Sequence, residues 1–227
     1  MTLREPYQTQ LVQLGLHAQG FDVGKLDGHW GPRTQAAFDE YVKRNREIME
    51  IPNYARWADC LTRAQGYDMG LFRENWKKNR PRYDEVSVLA GVPSGLVAAL
   101  HWREASGDFK KYLHQGDPLG RPAVHVPKDI PIFHLWEPAA VHALKMKETL
   151  RVELDLTAAS RNLNAMCAFA ESYNGMGYRR RGVASPYVLA GTDGYISGKY
   201  VTDGRYDPDA VDRQLGVLPM LRACSAG

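Results

Sequence analysis

PSGLVAALHWREASGDF, residues Pro93 to Phe109, decides how the rest of this chain is read. Gly91 closes what precedes it, and Pro93 suits a first helical position, where no N–H is missed. Leu96, Val97 and Leu100 recur at helical spacing, and Ala98 and Ala99 favour a helix. Glu104 lies four residues beyond Leu100 and seven beyond Val97, so it continues the apolar stripe. Ser106-Gly107 stops the helix. A carboxyl placed at the C-terminal end of an apolar stripe is favoured in its protonated form, by desolvation and by the negative end of the helix dipole. A carboxylic acid that keeps its proton near neutral pH is what a general acid requires.

The 227 residues suffice for one large or two modest domains. Hydrophobic (44%) and charged (24%) fractions are those of an ordinary soluble globular protein, and no apolar run approaches a membrane span. Met1 to Pro6 carries no apolar core behind a basic start and does not read as a signal peptide. The formal net charge of +3 fits a polyanionic partner such as nucleic acid or cell wall without demanding one. Arg179-Arg180-Arg181 is the densest basic run. Cys60, Cys167 and Cys224 are odd in number and far apart, so buried free thiols are expected rather than a disulfide framework or a zinc knuckle.

Upstream, Leu11, Leu14 and Ala18 predict a short amphipathic helix over residues 7–19, closed by Gly20. FDVGKLDGHWGPRT (Phe21 to Thr34) must be a tight turn-rich loop. Gly31-Pro32 opens a second helix, with Ala36, Ala37, Phe38, Tyr41 and Val42 inward and an end near residue 47. Asp27 can hydrogen-bond backbone, Gly28 can take positive φ, and Thr34 can support the helix start. Trp30 is either a sugar-stacking face or a core aromatic. Ala18 to Gly24 is echoed by Ala64 to Gly70, with Trp76 at the offset of Trp30; this is either a degenerate repeat or coincidence within helices over 54–65 and 71–78. Ile51-Pro52-Asn53 reads as a linker.

Downstream, helices are expected at 81–90 (Tyr83, Val86 and Leu89 on one face), 137–150 (Ala140, Ala143 and Leu144 inward), 158–173 and 207–222. Between the last two lies a glycine-rich segment in which Tyr187, Tyr195 and Tyr200 suit extended or hairpin structure.

Two resemblances follow from these motifs. Residues 5–46, through Asp27-Gly28, Gly31-Pro32, Thr34, Ala37 and Phe38, resemble the small three-helix peptidoglycan-binding domain attached to bacterial and phage wall hydrolases. Residues 80–213 resemble the catalytic domains of lysozyme-like phage endolysins and soluble lytic transglycosylases. The helix ending in Glu104, the loop LHQGDPL (Leu113 to Leu119), ESYNGMGY (Glu171 to Tyr178), and then SPY (Ser185 to Tyr187) and GKY (Gly198 to Tyr200) carry that likeness. The fold implied is mainly α: a three-helix wall-binding bundle over 1–50, then an α-rich lysozyme-like domain over 51–227 with a minor hairpin. The first would raise the effective concentration of the second on an insoluble substrate.

The resemblance makes Glu104 the acid that protonates the β-1,4 bond between N-acetylmuramic acid and N-acetylglucosamine. It places Tyr173, Asn174, Gly175, Tyr178, His114, Tyr187 and Tyr200 along the sugar cleft, and Asp27, Gly28, Trp30, Gly31 and Thr34 in the wall-binding module. Asn174-Gly175 also has a backbone reason to exist, as a turn after a helix. Glu171 is either a carboxylate that perturbs the site or a salt-bridge partner. Asp117 is the favoured second carboxylate and Asp108 its alternative; hydrolysis and anhydro-sugar formation both remain open. No cofactor or metal is implied. The partner is bacterial peptidoglycan, with no nucleic acid, no membrane insertion and a monomeric state. The location implied is the host cytoplasm until release to the wall. His101, His114, His125, His134 and His142 raise a zinc amidase or peptidase as the rival enzyme, yet no HExxH is present. A non-catalytic wall-binding phage structural protein and a chitin-cleaving enzyme are the other rivals.

Overall fold

The computed structural model describes residues 6–44, 51–202 and 204–225. The chain is mainly helical. Two helices, α1 (Pro6–Ala18) and α2 (Pro32–Arg44), precede a single 3-10 turn at Tyr54–Arg56. Next come α3 (Arg63–Ala90), α4 (Ser94–Ala105), α5 (Trp136–Lys145), α6 (Glu148–Glu153) and α7 (Leu163–Asn174). Short α8 (Gly177–Arg180) and α9 (Pro186–Leu189) lead to the hairpin β1 (Lys199–Thr202) and β2 (Arg205–Asp207), and α10 (Val217–Ser225) follows. The hairpin pairs Tyr200 with Tyr206 and Lys199 with Asp207.

Helix α4 is the centre of the larger core. Every residue from Leu96 to His101 is buried, because α3, α7 and α10 pack around it. Pro93 sits one position before the helix, in extended conformation, rather than in its first turn. The stop is as expected: Ser106 and Gly107 both take positive φ, and their N–H groups return to the carbonyls of Trp102 and His101.

Helix α3 departs from expectation. The separate helices anticipated over 71–78 and 81–90 are one 28-residue helix, Arg63–Ala90, that runs through Gly66, Gly70 and Pro81. The helix anticipated over 54–65 is instead a 3-10 turn at Tyr54–Arg56 and a non-helical stretch up to the Thr62 cap. A capping box starts it: Gln65 N donates to Thr62 Oγ1 at 3.2 Å, and Thr62 N donates to Gln65 Oε1 at 3.1 Å. An interior proline costs about 3 kcal/mol and each glycine about 1 kcal/mol. Met69, Phe72, Trp76, Tyr83 and Val86 are all buried on this helix. Large side chains contribute about 1.5–3 kcal/mol each on burial, so the stripe outweighs the breakers. Leu89 is not part of it, being 55% exposed; Ser87 and Ala90 face inward instead. The echo of Gly20–Trp30 at Gly66–Trp76 is therefore no structural repeat, since the first copy is turn and the second is helix.

Other boundaries shift for local reasons. The helix expected over 137–150 breaks at Met146-Lys147 into α5 and α6. Helix α7 begins at Leu163 rather than 158, where Asn162 Oδ1 accepts from Ala165 N. Residue Asp207 ends β2 and does not open a helix, because its carboxylate accepts from Asp209 N and Ala210 N in a turn. Tyr187 lies on α9, not in extended structure. Cys167 is buried, Cys224 half-buried and Cys60 exposed, the last against expectation.

Residues 6–44 have their own core of Val12, Leu16, Phe21, Val23, Ala37 and Tyr41. The inner stripe of α1 is Thr9, Val12, Gln13 and Leu16, whereas Leu14 and Ala18 are exposed. Ala36 on α2 is also exposed. Among the described residues up to 44 there are two helices, where three were expected over 1–50; the expected α2 end near residue 47 falls outside the described residues. Helix α1 packs on α6 so closely that a Cβ on Gly15 would lie 2.5 Å from Thr149 Oγ1. Val152 of α6 completes the contact against the small core.

Buried Gln13 holds the loop between α1 and α2. Its Oε1 accepts from Gly28 N at 2.9 Å, and its Nε2 donates to His29 O and Thr34 Oγ1, both at 3.0 Å. Gln13→Ala strands these partners, and an unsatisfied buried group costs about 1–3 kcal/mol. Thermal denaturation of the variant should show a loss of about that size, with the far-UV spectrum of the larger body retained.

Candidate active site

Glu104 occupies the last turn of α4, half-buried, with its Oε1 accepting a 2.7 Å hydrogen bond from the Tyr187 hydroxyl. Burial pushes its carboxyl up to about 7; the Tyr187 bond and the neighbouring Arg103 charge pull the other way. Burial and the Glu104 charge hold Tyr187 and Tyr173 well above the usual phenol range. Both are therefore donors at any working pH. Tyr173 spends its proton on Leu113 O at 2.9 Å, tying α7 to the loop after α4.

Arg103 fixes Tyr187 from the other side. Its guanidinium carbon lies 4.7 Å from the centre of the Tyr187 ring. Nη2 pairs with Asp212 Oδ2 at 3.0 Å and Nη1 donates to Leu215 O at 3.2 Å, with both side chains nearly buried. Asp212 in turn accepts from Gln214 N, and its own N–H reaches the Tyr195 hydroxyl. The acid's hydrogen-bond partner is thus clamped by a buried ion pair from the segment before α10.

Three cavities meet at the turn that ends α7, Ser172 to Gly177. One of about 350 Å³ is lined by His114, Lys147, Tyr173 and Asn174, with Val126 and Pro127 on its rim. A second of about 360 Å³ has Asn174, Gly175, Tyr178, Tyr200, Lys199 and Arg103 in its walls. A third, about 190 Å³, lies between Gly175 and Ser172 on one side and Tyr41 and Gln19 on the other. Asn174, Gly175 and Lys147 are each a wall of two of these cavities, so the three adjoin and together form a groove. Gly175, at φ 110°, has no heavy atom within 4 Å of where a Cβ would stand, and Asn174 is exposed. The glycine answers to the turn, not to crowding.

Of the residues expected to line a cleft, His114, Tyr173, Asn174, Gly175, Tyr178 and Tyr200 border the groove, whereas Tyr187 binds Glu104 and neither of those two lines the three cavities. Tyr178 also has a structural task, its hydroxyl accepting from Tyr200 N at 3.1 Å with the two rings edge to face. His114 Nε2 and His142 Nδ1 are 2.9 Å apart, and burial, then His142, pushes the His114 imidazole down to about 4. The pair shares one proton between neutral rings.

Asp117 has other work. Its carboxylate accepts from Val124 N at 2.8 Å, His125 N at 3.0 Å and His125 Nδ1 at 2.6 Å. Burial alone would raise it, but these bonds hold it below the usual carboxylate range. It shapes the 117–125 loop; the loop itself abuts the acid, because a Cβ on Gly116 would lie 2.5 Å from Glu104 O. Asp108 is exposed and accepts from Lys110 N. Glu171 is a salt-bridge partner: its Oε2 meets Arg179 Nη2 and the Tyr54 hydroxyl, each at 2.5 Å.

In the small module, Asp27 Oδ1 accepts from His29 N at 2.9 Å, and Gly28 at φ 76° could hold no Cβ, which would lie 2.6 Å from Pro6 O. Trp30 is half-buried, edge to face on Phe38, and donates to Gln35 Oε1 at 2.6 Å. Gly31 O starts α2 by accepting from Gln35 N. Those residues build the loop.

Arg103, Asp212 and Lys147 were not read from the sequence as site residues, and His142 was read only as a histidine of the rival zinc enzyme. Arg103 could have been suspected from its place beside Glu104; Asp212 lay in a stretch read as helix. His101 is packed among Tyr83, Phe109 and Trp136. Among the described residues no three His, Cys, Asp or Glu side chains converge as metal ligands. The chain matches no protein-family model, no curated protein and no solved structure.

Tyr187 donates to the ionised form of Glu104 and so lowers its pKa. Tyr187→Phe removes that donor, and any activity that draws on the Glu104 proton should then keep its basic limb to higher pH. A hydrogen bond to a charged group is worth about 1.5–3 kcal/mol, so the shift should be about one pH unit or more. A pH–rate profile of the variant reads it directly.

Proposed function

We propose that this protein cleaves the β-1,4 bond between N-acetylmuramic acid and N-acetylglucosamine in bacterial peptidoglycan, with Glu104 as general acid. It is read as a lysozyme-like catalytic body, over 51–227, carrying an N-terminal wall-binding module. The observation that supports this best is Glu104 itself: a half-buried carboxyl, raised to about 7, bonded by Tyr187. The groove whose cavities meet at Asn174-Gly175 adds to it. A groove with tyrosine walls and both polar and apolar lining suits a sugar polymer, whose faces are apolar and whose edges are hydroxyls.

In this reading Glu104 gives its proton to the glycosidic oxygen as the bond to the anomeric carbon lengthens and an oxocarbenium-like centre forms. The C6 hydroxyl of the same muramyl ring then attacks that centre, and the Glu104 carboxylate takes back the hydroxyl proton. The products are a shortened glycan and a 1,6-anhydromuramyl end. Two facts favour this one-acid scheme over hydrolysis with a second carboxylate. Asp117 is committed to Val124 and His125, and Glu171 to Arg179 and Tyr54. Tyr187 and Arg103 hold the ionised acid between the two proton transfers. A host-cytoplasmic protein that reaches the wall after release fits the same reading.

Glu104→Gln keeps the acceptor for Tyr187 but carries no labile acid proton. It should retain binding to purified sacculi while clearing them at least a hundredfold more slowly, the scale of general acid catalysis. Mass spectrometry of the fragments released by the parent chain should show anhydromuramyl ends. Reducing ends would replace the one-acid scheme with hydrolysis, and free peptides would overturn glycosidase chemistry.

A further inference from the structure

Lys147 precedes α6, where the helix expected over 137–150 breaks. Its Nζ donates to Ser172 O at 3.3 Å, and burial pulls its amine below the usual lysine range. An ammonium has three donors, so this bond leaves others available. Among the described residues no carboxylate lies within ion-pair distance. The adjacent Glu148 is held instead by Arg151 at 2.7 Å and Lys145 at 3.7 Å. Lys147 lines both the 350 Å³ cavity beside Tyr173 and the 190 Å³ cavity against Tyr41 and Gln19. Arg180 borders the second, and no Asp or Glu lines either. The opposite end of the groove differs, because there Asp212 neutralises Arg103. A desolvated cation that faces open space without a counter-charge is costly in the empty protein, and an anion entering the groove relieves that cost.

We propose that Lys147, with Arg180 at its outer edge, receives a carboxylate carried by the sugar polymer, the acidic side arm of alternate rings. The subsite lies where the N-terminal module meets the larger body, so Gln19 and Tyr41 extend the groove rather than stand apart from it. The inference rests on the glycosidase reading above and adds to it a subsite: the residues that recognise the acid-bearing rings and set them apart from those of a neutral polymer of N-acetylglucosamine.

The test uses the full chain carrying Glu104→Gln, so that the wall is bound and not consumed. Affinity is measured for native sacculi and for sacculi whose carboxylates have been amidated with carbodiimide and ammonia, which leaves wall phosphates untouched. Amidation and Lys147→Gln should each weaken binding about tenfold, the scale of a charge-assisted hydrogen bond. Together they should weaken it no further than either alone, and Lys147→Arg should recover part of the loss on native sacculi. Lys147→Met, which keeps the aliphatic stem, serves as the second variant if the glutamine form melts early. Additive effects, or native affinity in both Lys147→Gln and Lys147→Met, overturn the inference. Clearing of native sacculi by the chain with Glu104 intact is followed in parallel. Clearing without the Lys147 coupling removes this subsite alone, whereas no clearing removes the glycosidase reading and the subsite with it.

Discussion

The hydrogen bond between Tyr187 and Glu104 joins the two parts of the sequence on which the site depends. Helix α4 supplies the carboxyl from inside the core; α9, more than eighty residues later, supplies the phenol. Burial favours the neutral acid and the phenol favours the carboxylate, and the outcome is a group that titrates at about 7. That balance needs both elements held firmly. Arg103 and Asp212 hold the Tyr187 side, while the αL residues Ser106 and Gly107 turn the chain away immediately after Glu104. The chain then returns through Gly116 against the Glu104 carbonyl.

The same logic organises the groove. Turns placed by buried polar groups, not by long strands or disulfides, set its walls. Asp117 folds the 117–125 loop around its carboxylate, and Tyr173 anchors α7 to the segment just before that loop through Leu113 O. The hairpin rests on Tyr178 and needs Gly198, where a Cβ would fall 2.0 Å from the Tyr206 hydroxyl. The N-terminal module reaches the groove because Gly15 lets α1 approach α6 closely.

Much of the helical character and the position of the acid were legible in the sequence, because they rest on local signals. Apolar spacing, Pro93 and the Ser106-Gly107 stop located α4 to within a residue. The residues that line the groove were named from the resemblance, not from periodicity, since Tyr178 and Tyr200 meet only through tertiary packing. What could not be read shares one cause. Helix α3 overrides two glycines and a proline through a buried stripe, and α1 turns Gln13 inward as a hydrogen-bond hub. In both, long-range contacts reverse a local preference. The bonds of Asp117 were hidden for the same reason: its partners Val124 and His125 lie in a loop with no periodic signal.

The central claim is that the fold keeps a proton on Glu104 near neutral pH while Asp117 is held ionised. Carbon-13 NMR of the side-chain carboxyls, with Glu104 assigned by its disappearance in Glu104→Gln, measures this directly. The account predicts a midpoint near 7 for that resonance, with Asp117 titrating below the ordinary aspartate range. A Glu104 midpoint at the ordinary glutamate value, about 4.3, would contradict it.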